Sequence, residues 1–333
     1  MSKIIIFGAG AMSCAFSVVC LENNHETFIV GSNFDNELID NIDQNNNYHP
    51  TLKTKLSNET KFIKCSNLTE SQFNETDLIV IGTNSKGMEW CSDILQKFCK
   101  NKKLPPLLLL TKGLIINDNK FELLIEKLSR LLSNKEFNNV NISAVAGPCL
   151  AGELAVKSHS SVIITNKEIR ICEWLKDLLS TYYYHISMSD DIIGVEVSAA
   201  IKNIFSMAIG SAKGMNNKTN NHLNTSAALF SQSLYEMQLF VSFLKGRRET
   251  VNGLAGIGDL HVSAAGGRNS IMGSFLGKGL LYSDIKENQM KNVTIEGAEL
   301  SIEIFDQVKK HFTIKQIPLM FSTMESIVEN KKI

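Results

Sequence analysis

The first thirty residues constrain this chain more than any other segment. Ile4-Ile5-Ile6-Phe7 is a short apolar, β-branched run that ends in glycine, the pattern of a strand buried on both faces. Gly8-Ala9-Gly10 follows at once. Ala11–Glu22 then reads as a helix with Met12, Ala15, Val18 and Val19 on its inner face, and Glu26–Val30 as a second strand. Strand, glycine-rich turn, helix and strand within about 30 residues make a βαβ unit. Further apolar runs at 77–81, 107–110, 142–145 and 161–165 are separated by helical stretches, among them 121–132 and 168–180. Strands alternating with helices predict an α/β fold with a Rossmann-like, doubly wound parallel sheet.

The pattern changes near Asp190. Beyond it the segments 195–211, 225–246, 271–277, 297–310 and 318–329 all read as helices, and no strand is evident. We therefore expect a dinucleotide-binding domain over residues 1–190 and an all-helical substrate or catalytic domain over 191–333. Two domains suit a chain of 333 residues, at roughly 100–200 residues per domain. The Asn-rich stretches 43–47 and 216–221 are expected to be exposed loops.

Composition narrows the function classes. Lys+Arg and Asp+Glu number 34 each, so no global basic field draws the chain to nucleic acid or to an anionic membrane. The N-terminal apolar run is too short for the ~7–15-residue core of a secretory signal, and no run reaches the ~18 uncharged apolar residues of a spanning helix. Seven cysteines without a Cys-x-x-Cys pair argue against a disulfide framework or zinc site and for a reducing, cytoplasmic compartment. No metal is expected.

Several segments carry candidate chemistry. In Gly8-Ala9-Gly10-Ala11-Met12-Ser13 the first glycine permits a tight turn. The second lets backbone approach a pyrophosphate facing the helix amides, and Ser13 stands where a third glycine is usual. The same residues could form an ordinary βα turn. The acid that binds ribose hydroxyls should end the second strand, yet Val30-Gly31-Ser32-Asn33 contains none, Asp35 comes late, and no Arg is present to hold a 2′-phosphate. NAD and NADP both remain open. Lys202 sits alone in the apolar stretch 198–205. Either it carries its ammonium to the helix edge, or it is held inside by a partner; desolvating an ammonium lowers its pKa and suits it to proton transfer. Asp259, among Gly253, Gly256 and Gly258, is a candidate anchor for it. Gly266-Gly267-Arg268-Asn269 precedes a helix expected to begin near Ser270. Arg268 with helix N-terminal amides could receive a phosphate or a carboxylate, or Arg268 could make a surface ion pair. Lys112, in Thr111-Lys112-Gly113, and Gly147-Pro148-Cys149 both end strands, where ligands bind in open α/β sheets.

Taken in order, these segments resemble the soluble, bacterial-type NAD(P)-dependent glycerol-3-phosphate dehydrogenases over nearly the whole chain. The matching segments are Gly8-Ala9-Gly10, Asn47-Tyr48-His49-Pro50, Thr111-Lys112-Gly113, Gly147–Glu153, Ile201-Lys202-Asn203, Leu254–Leu260, Arg268-Asn269 and Thr294-Ile295-Glu296-Gly297. The resemblance implies interconversion of dihydroxyacetone phosphate and sn-glycerol 3-phosphate with NAD(H) or NADP(H). It implies Lys202 as proton donor, Lys112 as a contact to substrate and coenzyme, and Asp259 as the group orienting Lys202. Gly8, Gly10, Ala11, Met12, Lys112, Ala151, Arg268, Thr294 and Glu296 would line the coenzyme site. Lys112, Gly147, Cys149, Lys202, Asp259, Gly267, Arg268 and Asn269 would line the substrate site. A small phosphorylated substrate is the expected partner, without nucleic acid or membrane insertion, and a homodimer is admitted. The chain departs from the family pattern at Met12, Ser13, Asn84, Cys149, Ser226 and Gly267. A thiol at Cys149 is a weaker hydrogen-bond partner than serine. These departures leave two alternatives open: a divergent relative reducing another phosphorylated ketone, or a non-catalytic dinucleotide-binding sensor.

Overall fold

The computed structural model describes residues 1–333 apart from 101, 134–136 and 216–220. Its elements run β1 Lys3–Phe7, α1 Ala11–Glu22, β2 Glu26–Gly31, α2 Asn36–Gln44, β3 Tyr48–His49, β4 Thr54–Lys55, β5 Lys61–Lys64, β6 Leu78–Ile81, α3 Met88–Cys99 and β7 Leu107–Leu109. They continue with β8 Leu114–Asn117, β9 Lys120–Leu123, α4 Leu124–Ser133, β10 Ile142–Ala146, α5 Ala151–Ala155, β11 Ser160–Thr165, α6 Ile169–Leu179 and β12 Tyr184–Ser189. The helices α7 Ile192–Gly214, α8 Leu223–Phe243, α9 Asp259–Gly266, α10 Arg268–Gly277, α11 Tyr282–Asn288, α12 Glu296–His311 and α13 Pro318–Val328 complete the chain.

The chain forms two compact units. The first comprises Met1–Lys112 and Leu124–Asp190, the second Gly113–Leu123 and Asp191–Ile333. In the first unit the main sheet has the strand order β12-β11-β10-β7-β6-β1-β2-β5 among the described residues. Ile4 and Ile6 of β1 join a core with Cys14, Phe16 and Val19 of α1 and Leu175 of α6. Phe7 meets Trp90 of α3 edge-on at 5.6 Å. The sheet is thus covered on both faces, which explains the unbroken apolar run of β1. It is mixed rather than wholly parallel, because β11 pairs antiparallel with β10 and β12 then runs parallel to β11. The short β5 and the alternating β12 escaped the sequence reading. In β12 Tyr184 and Ile186 are buried while His185 and Ser187 face out.

The stretch 121–132, expected as one helix, starts as a strand. Asp118 and Asn119 both have positive φ, 47° and 58°, which makes the tight turn of a β8–β9 hairpin. Phe121 packs against Phe240 at 5.4 Å between ring centroids and lies 6.1 Å from His311. That apolar contact is why segment 113–123 belongs to the second unit rather than to the first 190 residues. The second unit is therefore largely, not wholly, helical. Of the Asn-rich stretches, Asp43 ends up in the last turn of α2, with Asn46 and Asn47 in a left-handed turn after it. Of 216–221 only Asn221 lies among the described residues, and it is exposed.

His49 is fully buried, and its Nδ1 accepts the Leu52 amide at 3.2 Å. Burial is the main cause that lowers its pKa. The unfolded imidazole titrates near 6.5. Below that pH the unfolded chain takes up a proton that the folded chain refuses, so stability falls with pH until the folded pKa is reached. Melting temperatures between pH 7.5 and 5 should fall more steeply for the wild type than for His49→Gln; parallel curves would remove His49 as the cause.

Candidate active site

In the first unit the site is built on the carboxyl ends of the strands. Gly8 has φ +94°, and a Cβ there would lie 3.2 Å from Thr83. Its amide donates to Val30 O at 2.8 Å, which locks the turn between β1 and β2. At Gly10 an added Cβ would meet no atom within 4 Å, so no protein packing requires that glycine. Gly10 precedes α1, whose N-terminus has no side-chain cap and no acidic residue in its first turn. Those exposed amides and the helix dipole suit a pyrophosphate. Ser13, in place of the third glycine, donates its hydroxyl to Gly82 O at 3.3 Å, so helix and sheet still pack closely.

The other strand ends converge on the same face. Lys112, just after β7, donates to Gly147 O at 3.3 Å. Gly147 follows β10 with φ +125°, a conformation that favours glycine. Met12, Lys112, Gly147 and Cys149 line one cavity together with Phe16 and Tyr184. Ala151 opens α5 directly after this loop. Tyr184 went unnoticed in the sequence because β12 did. Its ring is buried, and burial raises the hydroxyl's pKa well above the phenol range, so it is a neutral wall of this cavity.

In the second unit α7 is the central helix. It is long and apolar enough to span a bilayer, but 94% of its most apolar window is buried in the protein, as befits a core helix. Lys202 lies on it, 7% exposed, with its Nζ 2.8 Å from Asp259 Oδ1. Its ammonium also donates to Ser263 Oγ. The inward alternative therefore holds for Lys202. Asp259 is 3% exposed and opens α9 after a wide π-helical turn, Leu254–Gly258. Ser263 was missed. Its position four residues after Asp259 puts both side chains on one face of α9, and that spacing was the available signal.

The helix expected near Ser270 begins two residues earlier. Gly267 stands before α10, and Arg268 and Asn269 occupy its first turn, which no side chain caps. Arg268 pairs with Glu296 at the start of α12, both substantially exposed. Asn269 is buried and used at both ends: its Nδ2 donates to Asn203 Oδ1 at 3.0 Å and its Oδ1 accepts the Gly297 amide at 2.8 Å. It pins α7, α10 and α12 together. Thr294 is exposed ahead of α12. Close helix approach holds this arrangement: Cβ atoms added at Gly273 and Gly277 of α10 would fall 1.9 and 2.0 Å from the carbonyl oxygens of Met207 and Ser211.

Two family models match the chain. The N-terminal model of NAD-dependent glycerol-3-phosphate dehydrogenase covers residues 3–172 and the C-terminal model covers residues 191–333. The chain belongs to the NAD-dependent glycerol-3-phosphate dehydrogenase family. An NADP(+)-dependent glycerol-3-phosphate dehydrogenase of Archaeoglobus fulgidus is 30% identical over 285 residues, 85% of this chain and 82% of the relative. A glycerol-3-phosphate dehydrogenase, NAD(P)+, of Staphylococcus saprophyticus is 27% identical over 335 residues, 100% of this chain and 96% of the relative. The fold is shared with the glycerol-3-phosphate dehydrogenase structure from Coxiella burnetii, at 24% identity and TM-score 0.83 over 99% of this chain and 96% of that one. It is shared equally with that from Plasmodium falciparum, at 21% identity and TM-score 0.83 over 99% and 92%. As a glycerol-3-phosphate dehydrogenase, the chain is an NAD(P)-dependent oxidoreductase that interconverts dihydroxyacetone phosphate and sn-glycerol 3-phosphate, a reaction that feeds phospholipid synthesis.

Proposed function

We propose that Lys202 performs the proton transfer of this reaction, with Asp259 and Ser263 as the groups that hold its ammonium in place. The observation that carries this reading is the buried Lys202–Asp259 pair with the half-buried Ser263 beside it. A bare surface lysine would need neither partner. Reduction of the ketone develops negative charge on its oxygen. An ammonium held by two acceptors stabilises that charge without reorganising and gives up its proton to the oxygen as the C–H bond forms. A bound nicotinamide coenzyme supplies the hydride. In the reverse direction Lys202, deprotonated, takes the hydroxyl proton.

Lys112, Gly147 and Cys149 are assigned to substrate, and Gly8, Gly10, Ala11, Met12 and Ala151 to the coenzyme, as the family motifs imply. The uncapped first turn of α10 suits the substrate phosphate, with Gly267 giving backbone access and Arg268 the charge. Thr294 and Glu296 complete the coenzyme assignment, and Asn269 serves by positioning Lys202's helix against α10. Seven cysteines without a Cys-x-x-Cys pair support a reducing, cytoplasmic setting.

The test follows nicotinamide absorbance with dihydroxyacetone phosphate and with unphosphorylated dihydroxyacetone. The phosphorylated ketone should be the far better substrate. Arg268→Ala should raise its KM about ten- to a hundredfold, the worth of a charged hydrogen bond, with little change for dihydroxyacetone. Equal effects on the two ketones would remove the phosphate assignment.

A further inference from the structure

We propose that Asp35 selects the coenzyme, taking the adenosine ribose hydroxyls and setting a preference for NAD(H) over NADP(H). The proposal deepens the dinucleotide reading above and rests on it.

An acid that reads the ribose normally ends the second strand, and β2 ends at Gly31 without one. The tertiary structure brings one back. Residues 32–35 close a tight turn in which Asp35 Oδ2 accepts the Ser32 amide at 2.8 Å and the Ser32 hydroxyl at 2.8 Å. The carboxylate, four residues past the end of β2, therefore returns to the strand end. Gly31 makes this possible. A Cβ at that position would lie 3.0 Å from Asp35 Cβ and 2.5 Å from Ile39 Cδ1, contacts that a side chain could not share. The same hypothetical atom would lie 3.6 Å from Ala9 Cβ, so Asp35 and the middle of the Gly8-Ala9-Gly10 turn both flank the position of Gly31. The Cys14 thiol at the start of α1 reports the proximity: burial first, and then the Asp35 charge, push it up to about 12.

Both hydrogen bonds fall on one oxygen, and among the described residues Oδ1 makes none. A carboxylate fixed in this way keeps an acceptor for two hydroxyl donors. A 2′-phosphate offers only acceptors and brings further negative charge. The cation nearest in register is already committed: Lys64, opposite Gly31 in the β2–β5 pairing, has its ammonium 2.5 Å from Asp40 Oδ1.

The test uses the full-length enzyme. It measures kcat/KM for NADH and NADPH at saturating dihydroxyacetone phosphate, and binding of each coenzyme alone by fluorescence. NADH should be favoured about ten- to a hundredfold, as one or two charged hydrogen bonds would give. Asp35→Asn still accepts the Ser32 amide, so its melting temperature should be unchanged while the NADH/NADPH ratio falls tenfold or more, chiefly through KM. Equal use of the two coenzymes or preference for NADPH by the wild type, or an unchanged ratio in Asp35→Asn, would overturn the proposal. Failure of both coenzymes to bind would overturn the dinucleotide reading itself, a result distinct from a wrong preference.

Discussion

Lys202→Ala should lower turnover by about 10²- to 10⁴-fold, the usual cost of losing a positioned acid–base group, while coenzyme binding by the isolated enzyme persists. The expectation needs a second variant, because alanine does more than remove a proton donor. It leaves the Asp259 carboxylate, 3% exposed, without its cation, and breaking a buried pair in this way costs about 3–5 kcal/mol. Lys202→Met with Asp259→Asn removes both charges at similar volume. That double variant should melt near the wild type and be as inactive as the alanine variant. If it turns over substrate at a near-normal rate, Lys202 is a structural lysine and the proton comes from elsewhere. Ser263→Ala leaves the ion pair in place and should cost less, because Asp259 still holds the ammonium.

The second large effect is on stability. Gly273→Ala should destabilise the second unit by about 3 kcal/mol or more, at the upper end of overpacking penalties. Its methyl would fall 1.9 Å from the Met207 carbonyl oxygen, a backbone atom that cannot rotate aside. The approach is reciprocal, since Cβ atoms added at Gly210 and Gly214 of α7 would fall 2.3 and 2.0 Å from the carbonyl oxygens of Ser270 and Ser274 on α10. Four glycines thus let two backbones touch, and α7 carries Lys202 while α10 carries Arg268 and Asn269. Chemical denaturation should show the loss, with residual activity reduced because α10 is pushed off α7. A wild-type midpoint for Gly273→Ala would mean that the two helices separate at little cost, and the close crossing would not be what positions the cluster.

The local elements were legible because their causes are local. β1, its glycine turn and α1 follow from an apolar run, a residue that tolerates positive φ and a helical period. Asp118-Asn119 was a readable hairpin signal that the apolar residues following it masked. β12 shows plain alternation, but it is an edge strand of a few residues next to the change of pattern at 190.

The sequence by itself determined the family, through ordered motifs that each require particular backbone or charge, and it named candidate residues for the chemistry. Only the tertiary structure decided how those residues are partnered. Lys202 could have pointed to solvent; the approach of α9 gives it Asp259 and Ser263. Arg268 and Glu296 lie 28 residues apart and meet because α10 and α12 both pack on α7. Asn269, a phosphate-ligand candidate by motif, also bridges Asn203 and Gly297. Asp35, late along the chain, folds back onto Ser32 at the end of β2. The physical reason is common to all of these. Periodicity and turn sterics act over a few residues and can be read from a string. A side chain's partner depends on which helix faces meet and how closely, and that is set by glycines and carbonyls far apart in the sequence.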